Sequence, residues 1–245
     1  MPLEHAGALC TANDDVFCAC GDAIWRIDRK TMMPCALFAG GPGMKQLLPS
    51  ADGSYLYVLC SDADCVMMLH ARTGNPILLN HAGVNPRQMV LETGVLVIAG
   101  GEHGAVFLLD AQTLVILDCL IMPGPVYSIA VKAGMIYALC LTASLSSELI
   151  AVNSGGTRCH CFFPGMPGVL LMRKNSLLVS TEEALYQVTL DGERILNRSS
   201  IPGRAAWMQH TGKQLLMLDS YTDRLWCSAQ KNWRVLCGCA ASAAL

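Results

Sequence analysis

The sequence predicts an all-β fold, a single β-propeller of six four-stranded blades that spans residues 1–245. Three observations support this prediction. The apolar residues occur in short blocks that Gly, Asp, Asn and Pro interrupt, the blocks come in groups of four, and the groups recur about every 40 residues. Four strands per unit at this period are typical of propeller blades. A propeller of seven blades is the alternative.

Composition limits the classes of partner. The chain has 245 residues, a formal net charge of -2, 53% hydrophobic residues and 15% charged residues. No apolar run approaches the roughly 18 to 20 residues of a membrane-spanning helix. The 17 basic residues are scattered, whereas binding to a phosphate backbone needs clustered Lys and Arg. The sequence therefore predicts neither a membrane nor a nucleic acid as a partner. The high content of hydrophobic residues in short blocks predicts strands that are buried on both faces.

The clearest repeat runs from Met44 to Asn85 and contains the blocks MKQLLPS, YLYVLCS, CVMMLHA and NPILLNHAGVN. Polar turns separate the blocks, and in other repeats the third turn reads Asp28–Thr31 or Asp110–Thr113. Asx, Gly and Thr suit tight hairpin turns. The predicted blades are 3–43, 44–85, 86–126, 127–167, 168–204 and 205–245.

One position near the end of the second block supports this alignment. It is occupied by Cys20, Cys60, Ala99, Cys140, Ser180 and Asp219. Five of these side chains are small and uncharged, which is expected where neighbouring blades pack face to face. Free Cys behaves as a small hydrophobic residue, so this position also accounts for several cysteines.

The segment PSADGSYLYV at Pro49–Val58 resembles the core of the YVTN-type propeller repeat, and Arg72-Thr73-Gly74 resembles its following turn. Gly83–Arg87 is similar to the segment with which this family enters its next repeat. The resemblance covers the whole chain only through the repeat period. It implies a propeller fold and a binding platform, and because members share no single activity, it implies no reaction.

A ligand site is predicted on the face formed by the loops between blades. Arg87, Tyr127, Arg204 and Trp207 stand at or just before the first strands of their blades, and His103 lies in a turn on the same face. Cationic and aromatic side chains of this kind suit a carboxylate or a sugar. The competing interpretation is that these side chains fill the central channel.

Acidic residues in the turns between second and third strands suggest an alternative site. They are Asp62, Asp64, Glu102, Glu148 and Asp223. Carboxylate oxygens suit Ca²⁺ or another divalent cation, and six-bladed lactonases hold a cation in this place. A metal-assisted hydrolase of the lactonase type is therefore the alternative function. The competing interpretation is that turns favour Asp in any protein, and the leading prediction includes no cofactor.

The thirteen cysteines and the absence of a signal peptide predict a bacterial-type protein of the reducing cytoplasm. The C-x-C pairs Cys18/Cys20, Cys159/Cys161 and Cys237/Cys239 lie in blocks predicted to be buried, which favours packing over metal binding. The sequence has no nucleophile elbow and no phosphate-binding loop, and no catalytic residue is predicted. We therefore expect a binding or scaffolding module with a protein or small-molecule ligand, and not an enzyme.

Overall fold

The described part of the chain is built from β-strands. The computed structural model describes residues 6–153, 155–211, 214–219, 221–222, 224–229 and 232–238. Within these residues, 24 strands form six antiparallel sheets of four strands, and in every sheet neighbouring strands are consecutive in the chain. This arrangement is that of a six-bladed β-propeller and confirms the predicted fold class, with six sheets and not seven. Within the same residues, no helix has the length and apolar character needed to cross a membrane.

The chain divides into two compact units, and the first is Met1–Val126. This unit contains three of the six sheets. Its strands are β1 (Ala6–Ala12), β2 (Asp15–Cys20), β3 (Ala23–Asp28), β4 (Pro34–Ala39), β5 (Met44–Pro49), β6 (Tyr55–Cys60), β7 (Cys65–His70), β8 (Pro76–His81), β9 (Gln88–Glu92), β10 (Val95–Ala99), β11 (Ala105–Asp110) and β12 (Ile116–Ile121).

The second unit is Tyr127–Leu245 and contains the other three sheets. Its strands, the first of which begins one residue earlier, are β13 (Val126–Lys132), β14 (Met135–Leu141), β15 (Ser147–Asn153), β16 (Gly156–Phe163), β17 (Pro167–Met172), β18 (Ser176–Thr181), β19 (Leu185–Thr189), β20 (Ile195–Ser199), β21 (Ala205–Thr211), β22 (Gln214–Asp219), β23 (Arg224–Ala229) and β24 (Asn232–Gly238). Each predicted repeat thus corresponds to one sheet, with β13 and β17 beginning one residue before the predicted boundary. The organisation of residues 1–245 as one domain stays a prediction.

In the first unit, the middle sheet buries both of its faces. Val58 on β6 packs in a cluster with Phe17 of the preceding sheet. The next residue, Leu59, packs in a separate cluster with Met89 and Ile98 of the following sheet. Successive residues of a strand point to opposite faces, so an unbroken apolar run in the second strand supplies both packing surfaces.

The second unit repeats this arrangement on β18. Leu177 and Val179 pack in a cluster with Leu139 of the preceding sheet. Leu178, between them in sequence, packs in another cluster with Met208 and Met217 of the following sheet. The same physical pattern therefore builds the core of each unit.

The recurring position at the end of the second strand is buried in five of the six sheets, whereas Cys20 in the first sheet is partly exposed. Cys60, Ala99, Cys140, Ser180 and Asp219 are all at most 2% exposed. A Cβ atom added to Gly41 would lie 2.9 Å from Sγ of Cys60. A Cβ atom added to Gly203 would likewise lie 2.5 Å from Oδ2 of Asp219. At both positions the loop that enters the same sheet passes directly against the side chain, with a glycine at the point of contact.

Hydrogen bonds from tyrosine hydroxyls join successive sheets within each unit, and the one made by Tyr57 is buried. The Tyr57 hydroxyl on β6 donates to the carbonyl oxygen of Ala111, 2.7 Å away in the next sheet. The Tyr137 hydroxyl on β14 donates in the same way to the carbonyl oxygen of Leu190, at 2.8 Å. Both tyrosines are the third residue of their second strands, so the repeat reproduces this bond between sheets.

Two turns between third and fourth strands share one hydrogen-bonding pattern. Oδ1 of Asp110 accepts hydrogen bonds from the backbone N–H of Gln112 and from both the backbone N–H and the hydroxyl of Thr113. Asp28 accepts the equivalent three bonds from Lys30 and Thr31. Bonds to the ionised carboxylate lower the pKa of Asp28 and Asp110, with the Thr backbone N–H as the largest cause.

Replacing Tyr57 by Phe is expected to lower the free energy of unfolding by about 1–2 kcal/mol, because the buried carbonyl oxygen of Ala111 loses its donor. Urea unfolding measures this change. Tyr55→Phe is the matched control, since Tyr55 lies on the same strand and its hydroxyl makes no hydrogen bond within the described residues. Equal effects of the two substitutions would contradict the assigned role of the Tyr57 hydroxyl.

Replacing Asp110 by Ala is expected to lower the stability of the protein at neutral pH and to reduce its acid sensitivity. The folded-state pKa of Asp110 is lowered, so its contribution is present above the pKa of an unfolded Asp, about 3.9, and is lost as the pH falls through the folded-state value. The difference in unfolding free energy between wild type and D110A should therefore shrink between about pH 6 and about pH 2. Glu193→Ala, which removes an exposed carboxylate, is the control. If the difference in unfolding free energy between wild type and D110A did not change across this pH range, stabilisation by the ionised Asp110 carboxylate would be refuted.

Candidate functional site

The predicted acidic residues of the first unit are engaged in loop structure. Oδ1 of Asp64 accepts a hydrogen bond from the backbone N–H of Asn85 at 2.7 Å. The side-chain amide of Asn85 donates to Oε1 of Glu102 at 3.1 Å. Asn85 has a φ angle of 51°, in the left-handed region. Asp64 and Glu102 thus hold Asn85 from two sides and fix the loop that enters β9.

Asp62 lies in the same turn as Asp64 but faces another segment. A Cβ atom added to Gly43 would lie 2.4 Å from Cγ of Asp62. The φ angle of Gly43 is 66°. The carboxyl group of Asp62 therefore packs on the loop that enters β5, where a glycine makes room for it.

Glu148 belongs to the second unit and forms a pair with a histidine. Its Oε1 atom lies 2.5 Å from Nδ1 of His160, and the Glu148 side chain is almost fully buried whereas His160 is half-exposed. Cys140 is directly opposite Glu148 in the register of β14 and β15. Burial, and secondly the charge of Glu148, raise the pKa of the Cys140 thiol to about 12. A raised pKa favours the protonated thiol at neutral pH.

The predicted cation site is not assembled by the part of the chain that the structure describes. In these residues, no three His, Cys, Asp or Glu side chains are grouped closely enough to hold a metal ion. Asp223, the remaining acidic residue of the predicted set, lies outside the described residues. A site for Ca²⁺ or another divalent cation stays a prediction.

Two residues of the predicted ligand site come together in the second unit. The guanidinium carbon of Arg204 lies 5.4 Å from the centre of the Tyr127 ring, within the range of a cation–π contact. Nε and Nη2 of Arg204 both donate to the carbonyl oxygen of Pro167, at 3.2 and 2.9 Å. Trp207 follows nearby on β21 with an exposed side chain. The cationic and aromatic groups that suit a carboxylate or a sugar are therefore adjacent here.

The other two predicted ligand residues lie in the first unit. Arg87 is half-buried, and its backbone N–H donates to the carbonyl oxygen of Ala99 at 3.0 Å. His103 is exposed in the turn between β10 and β11. The roles of all five residues in ligand binding stay predictions.

The two C-x-C pairs that the structure describes, Cys18/Cys20 and Cys159/Cys161, consist of buried or partly buried free thiols. The Sγ atoms of Cys18 and Cys20 are 3.6 Å apart, as expected for alternate residues of a strand. Burial raises the pKa of Cys18 to about 11 and also raises the pKa values of Cys159 and Cys161. The side chain of Cys237 lies outside the described part, as does all of Cys239.

An exposed apolar edge, which the sequence reasoning missed, lies on β12. Val115 precedes this strand, Ile116, Leu117 and Ile121 lie on it, and their side chains are 57%, 42%, 57% and 79% exposed. We call these four residues the β12 edge. In its sheet β12 pairs with β11 and is the outermost strand. The block LVILDCLIM, in which Asp118 is the single charged residue, is the signal in the sequence. A fourth strand is exposed on its outer side, so a mostly apolar block there needs a separate explanation.

The fold of the chain matches solved structures of low sequence identity. A chain of hydrazine synthase from Kuenenia stuttgartiensis is 12% identical with a TM-score of 0.72, over 93% of this chain and 77% of that one. The computationally designed Ika8 protein is 11% identical with a TM-score of 0.73, over 94% and 70% of the two chains. BamB from Moraxella catarrhalis is 14% identical with a TM-score of 0.65, over 92% and 68%.

No protein-family model and no curated protein sequence matches the chain. At these identities the structural likeness shows the fold alone. The hydrazine synthase chain and BamB are β-propeller proteins, and this chain shares the β-propeller fold with them.

Proposed function

We propose that this chain is a protein-binding module and that its partner covers the β12 edge. The observation that carries the proposal is the exposure of four large aliphatic side chains on or beside one outermost strand. A β-propeller presents a rigid scaffold for such a surface and implies no reaction by itself. The function proposed here is therefore recognition.

The energetic argument rests on apolar area and on the strand edge. Fully burying an Ile, Leu or Val side chain is worth about 1.5–3 kcal/mol relative to leaving it exposed. The outer side of an edge strand also presents unpaired backbone N–H and C=O groups, which a second chain can pair with. An extended apolar segment of a partner protein satisfies both requirements at once.

A protein fits this surface better than a small molecule does. Small-molecule sites are concave and surround most of the ligand, whereas five of the six residues of β12 are exposed. The Arg204–Tyr127 contact offers the alternative, a carboxylate or sugar held in the second unit.

Cellular location and family subtype are also proposals. The thirteen cysteines favour the reducing cytoplasm of a bacterial cell. The resemblance of Pro49–Val58 to the YVTN repeat favours that subtype. No grouping of the described residues favours the alternative of a metal-assisted hydrolase.

Replacing both Leu117 and Ile121 by Lys is expected to weaken partner binding, because two charged side chains would have to be desolvated in an apolar contact. The wild-type protein is immobilised, proteins retained from a bacterial lysate are quantified by mass spectrometry, and the main candidate is purified for calorimetry. Its affinity for the double variant should fall by about tenfold or more.

Ile195→Lys with Leu196→Lys is the matched control. These residues are neighbours near the start of β20, an outermost strand of the second unit, and are also exposed. The control variant should bind the partner as the wild type does, and both variants should keep the wild-type melting temperature. A partner that binds wild type and the β12 variant equally well would refute the proposal.

A further inference from the structure

A small open cleft lies at one end of the sheet that β17 to β20 form in the second unit. It is located between the turn that joins β18 to β19 and the end of β20, and its volume is about 220 Å³. Its lining residues are Glu183, Ala184, Arg198, Ser199 and Ser200. Sites for drug-sized ligands have volumes of about 300–1,000 Å³, so this cleft suits a smaller polar molecule.

A buried aromatic ring positions Arg198 in the cleft. Arg198 on β20 is directly opposite Tyr186 on β19. Its guanidinium carbon lies 5.7 Å from the centre of the Tyr186 ring, within the range of a cation–π contact. Tyr186 is buried and packs against the ring of Phe163, with the two ring centres 4.8 Å apart. The guanidinium group is therefore held on a fixed surface, while 61% of the Arg198 side chain stays accessible to a ligand.

The turn that carries Glu183 is fixed by hydrogen bonds and by packing. The backbone N–H groups of Glu183 and Ala184 donate to Oγ1 of the buried Thr181, at 3.2 and 3.3 Å. A Cβ atom added to Gly165 would lie 3.0 Å from Cγ of Glu183. The stem of the Glu183 side chain thus packs on the loop that enters β17, and 49% of this side chain is exposed.

The two charged groups of the cleft form only a loose ion pair with each other. Nη2 of Arg198 lies 3.8 Å from Oε2 of Glu183, which is longer than a hydrogen bond. Exposed ion pairs of this kind contribute little to stability. A guanidinium group has five N–H donors and a carboxylate has two acceptor oxygens. Both groups therefore keep hydrogen-bonding capacity for a ligand.

We propose that this cleft binds a small α-amino acid in its zwitterionic form. The carboxylate of the ligand pairs with the Arg198 guanidinium group, which can form two parallel hydrogen bonds with it. The ammonium group of the ligand pairs with the Glu183 carboxylate. The hydroxyls of Ser199 and Ser200, which also line the cleft, are further donors for the ligand carboxylate.

A zwitterion fits the two charges better than an ion of one sign does. A carboxylate alone would pair with Arg198 and lie close to the negative charge of Glu183, and an amine alone would have the converse problem with Arg198. An α-amino acid carries both opposite charges within one small molecule. The cleft belongs to the second unit, and this inference goes beyond protein binding at the β12 edge and does not depend on it.

The test is a titration with L-alanine, followed by NMR of the backbone amides of Ala184, Ser199 and Ser200 at constant ionic strength maintained with sodium chloride. We expect saturable shifts of these amides. Acetate and ethylamine, which each carry one of the two charges of alanine, are titrated in parallel. Each should bind about tenfold more weakly than alanine or worse, because it lacks one charged hydrogen-bonding partner.

Arg198→Gln and Glu183→Gln should each weaken alanine binding by about tenfold or more, because each removes one of the two charged partners. Arg194→Gln and Glu193→Gln are the matched controls. Arg194 and Glu193 are exposed residues of the turn between β19 and β20, at the other end of the same sheet. The control variants should bind alanine as the wild type does, and all four should keep the wild-type melting temperature.

Three results would overturn the proposal. The first is the absence of a saturable shift of the cleft amides with alanine. The second is binding of acetate or ethylamine that is as tight as binding of alanine, since the cleft would then recognise a single charge. The third is alanine binding at wild-type affinity by both folded variants, Arg198→Gln and Glu183→Gln.

Discussion

Face-to-face packing of successive four-stranded sheets is the interaction on which the rest of each unit depends. Val58 and Leu59, neighbours on β6, enter two different apolar clusters on opposite faces of one sheet. Leu177 and Leu178 do the same on β18. Because both faces are used for packing, only the turns and the outermost strand of a sheet can contact a ligand or another protein. The proposed protein surface occupies one of these remaining places, an outermost strand.

Polar groups specify how the sheets meet. The side-chain amide of Gln46 donates to the carbonyl oxygen of Met89 at 2.9 Å, and the Met89 N–H donates back to the Gln46 side chain at 2.7 Å. Apolar packing alone tolerates sliding between surfaces, whereas such paired bonds are formed in one relative position only. The hydroxyls of Tyr57 and Tyr137 also fix the position of one sheet relative to the next. Each donates to a carbonyl oxygen that lies just after the third strand of the next sheet.

Much of the fold could be predicted from the sequence because its determinants are local. The blocks from Met44 to Asn85 became β5 to β8, and the turn at Asp110–Thr113 formed the hydrogen bonds that its Asp and Thr suggested. The recurring small residue at Cys60 and Cys140 identified a buried position. Periodicity and turn chemistry act over a few residues, and sequence patterns record them directly.

The candidate sites were harder to predict, because they depend on residues that are distant in sequence. Asp64 and Glu102 were grouped by turn position in the sequence, but their shared contact with Asn85 is a property of the folded loops. The pairing of Glu148 with His160 depends on the register of β15 and β16. The same holds for Lys132, whose partner carbonyl lies 42 residues away.

The exposure of the β12 edge escaped prediction for a different reason. An apolar block gives the same sequence signal whether its strand is buried between sheets or lies at an open edge. The outermost position of β12 in its sheet is what separates these cases.

Cysteine labelling inside cells tests the central claim, that a protein covers the β12 edge, most directly. Cys119 lies on β12 and its side chain is exposed, and Cys35 on β4 is an exposed thiol of the same unit that serves as an internal reference. A membrane-permeant maleimide should label both thiols in the purified protein. In intact cells at native expression, the account predicts that Cys119 is protected while Cys35 is still labelled. The account would be contradicted if the ratio of Cys119 labelling to Cys35 labelling were the same in cells as in the purified protein.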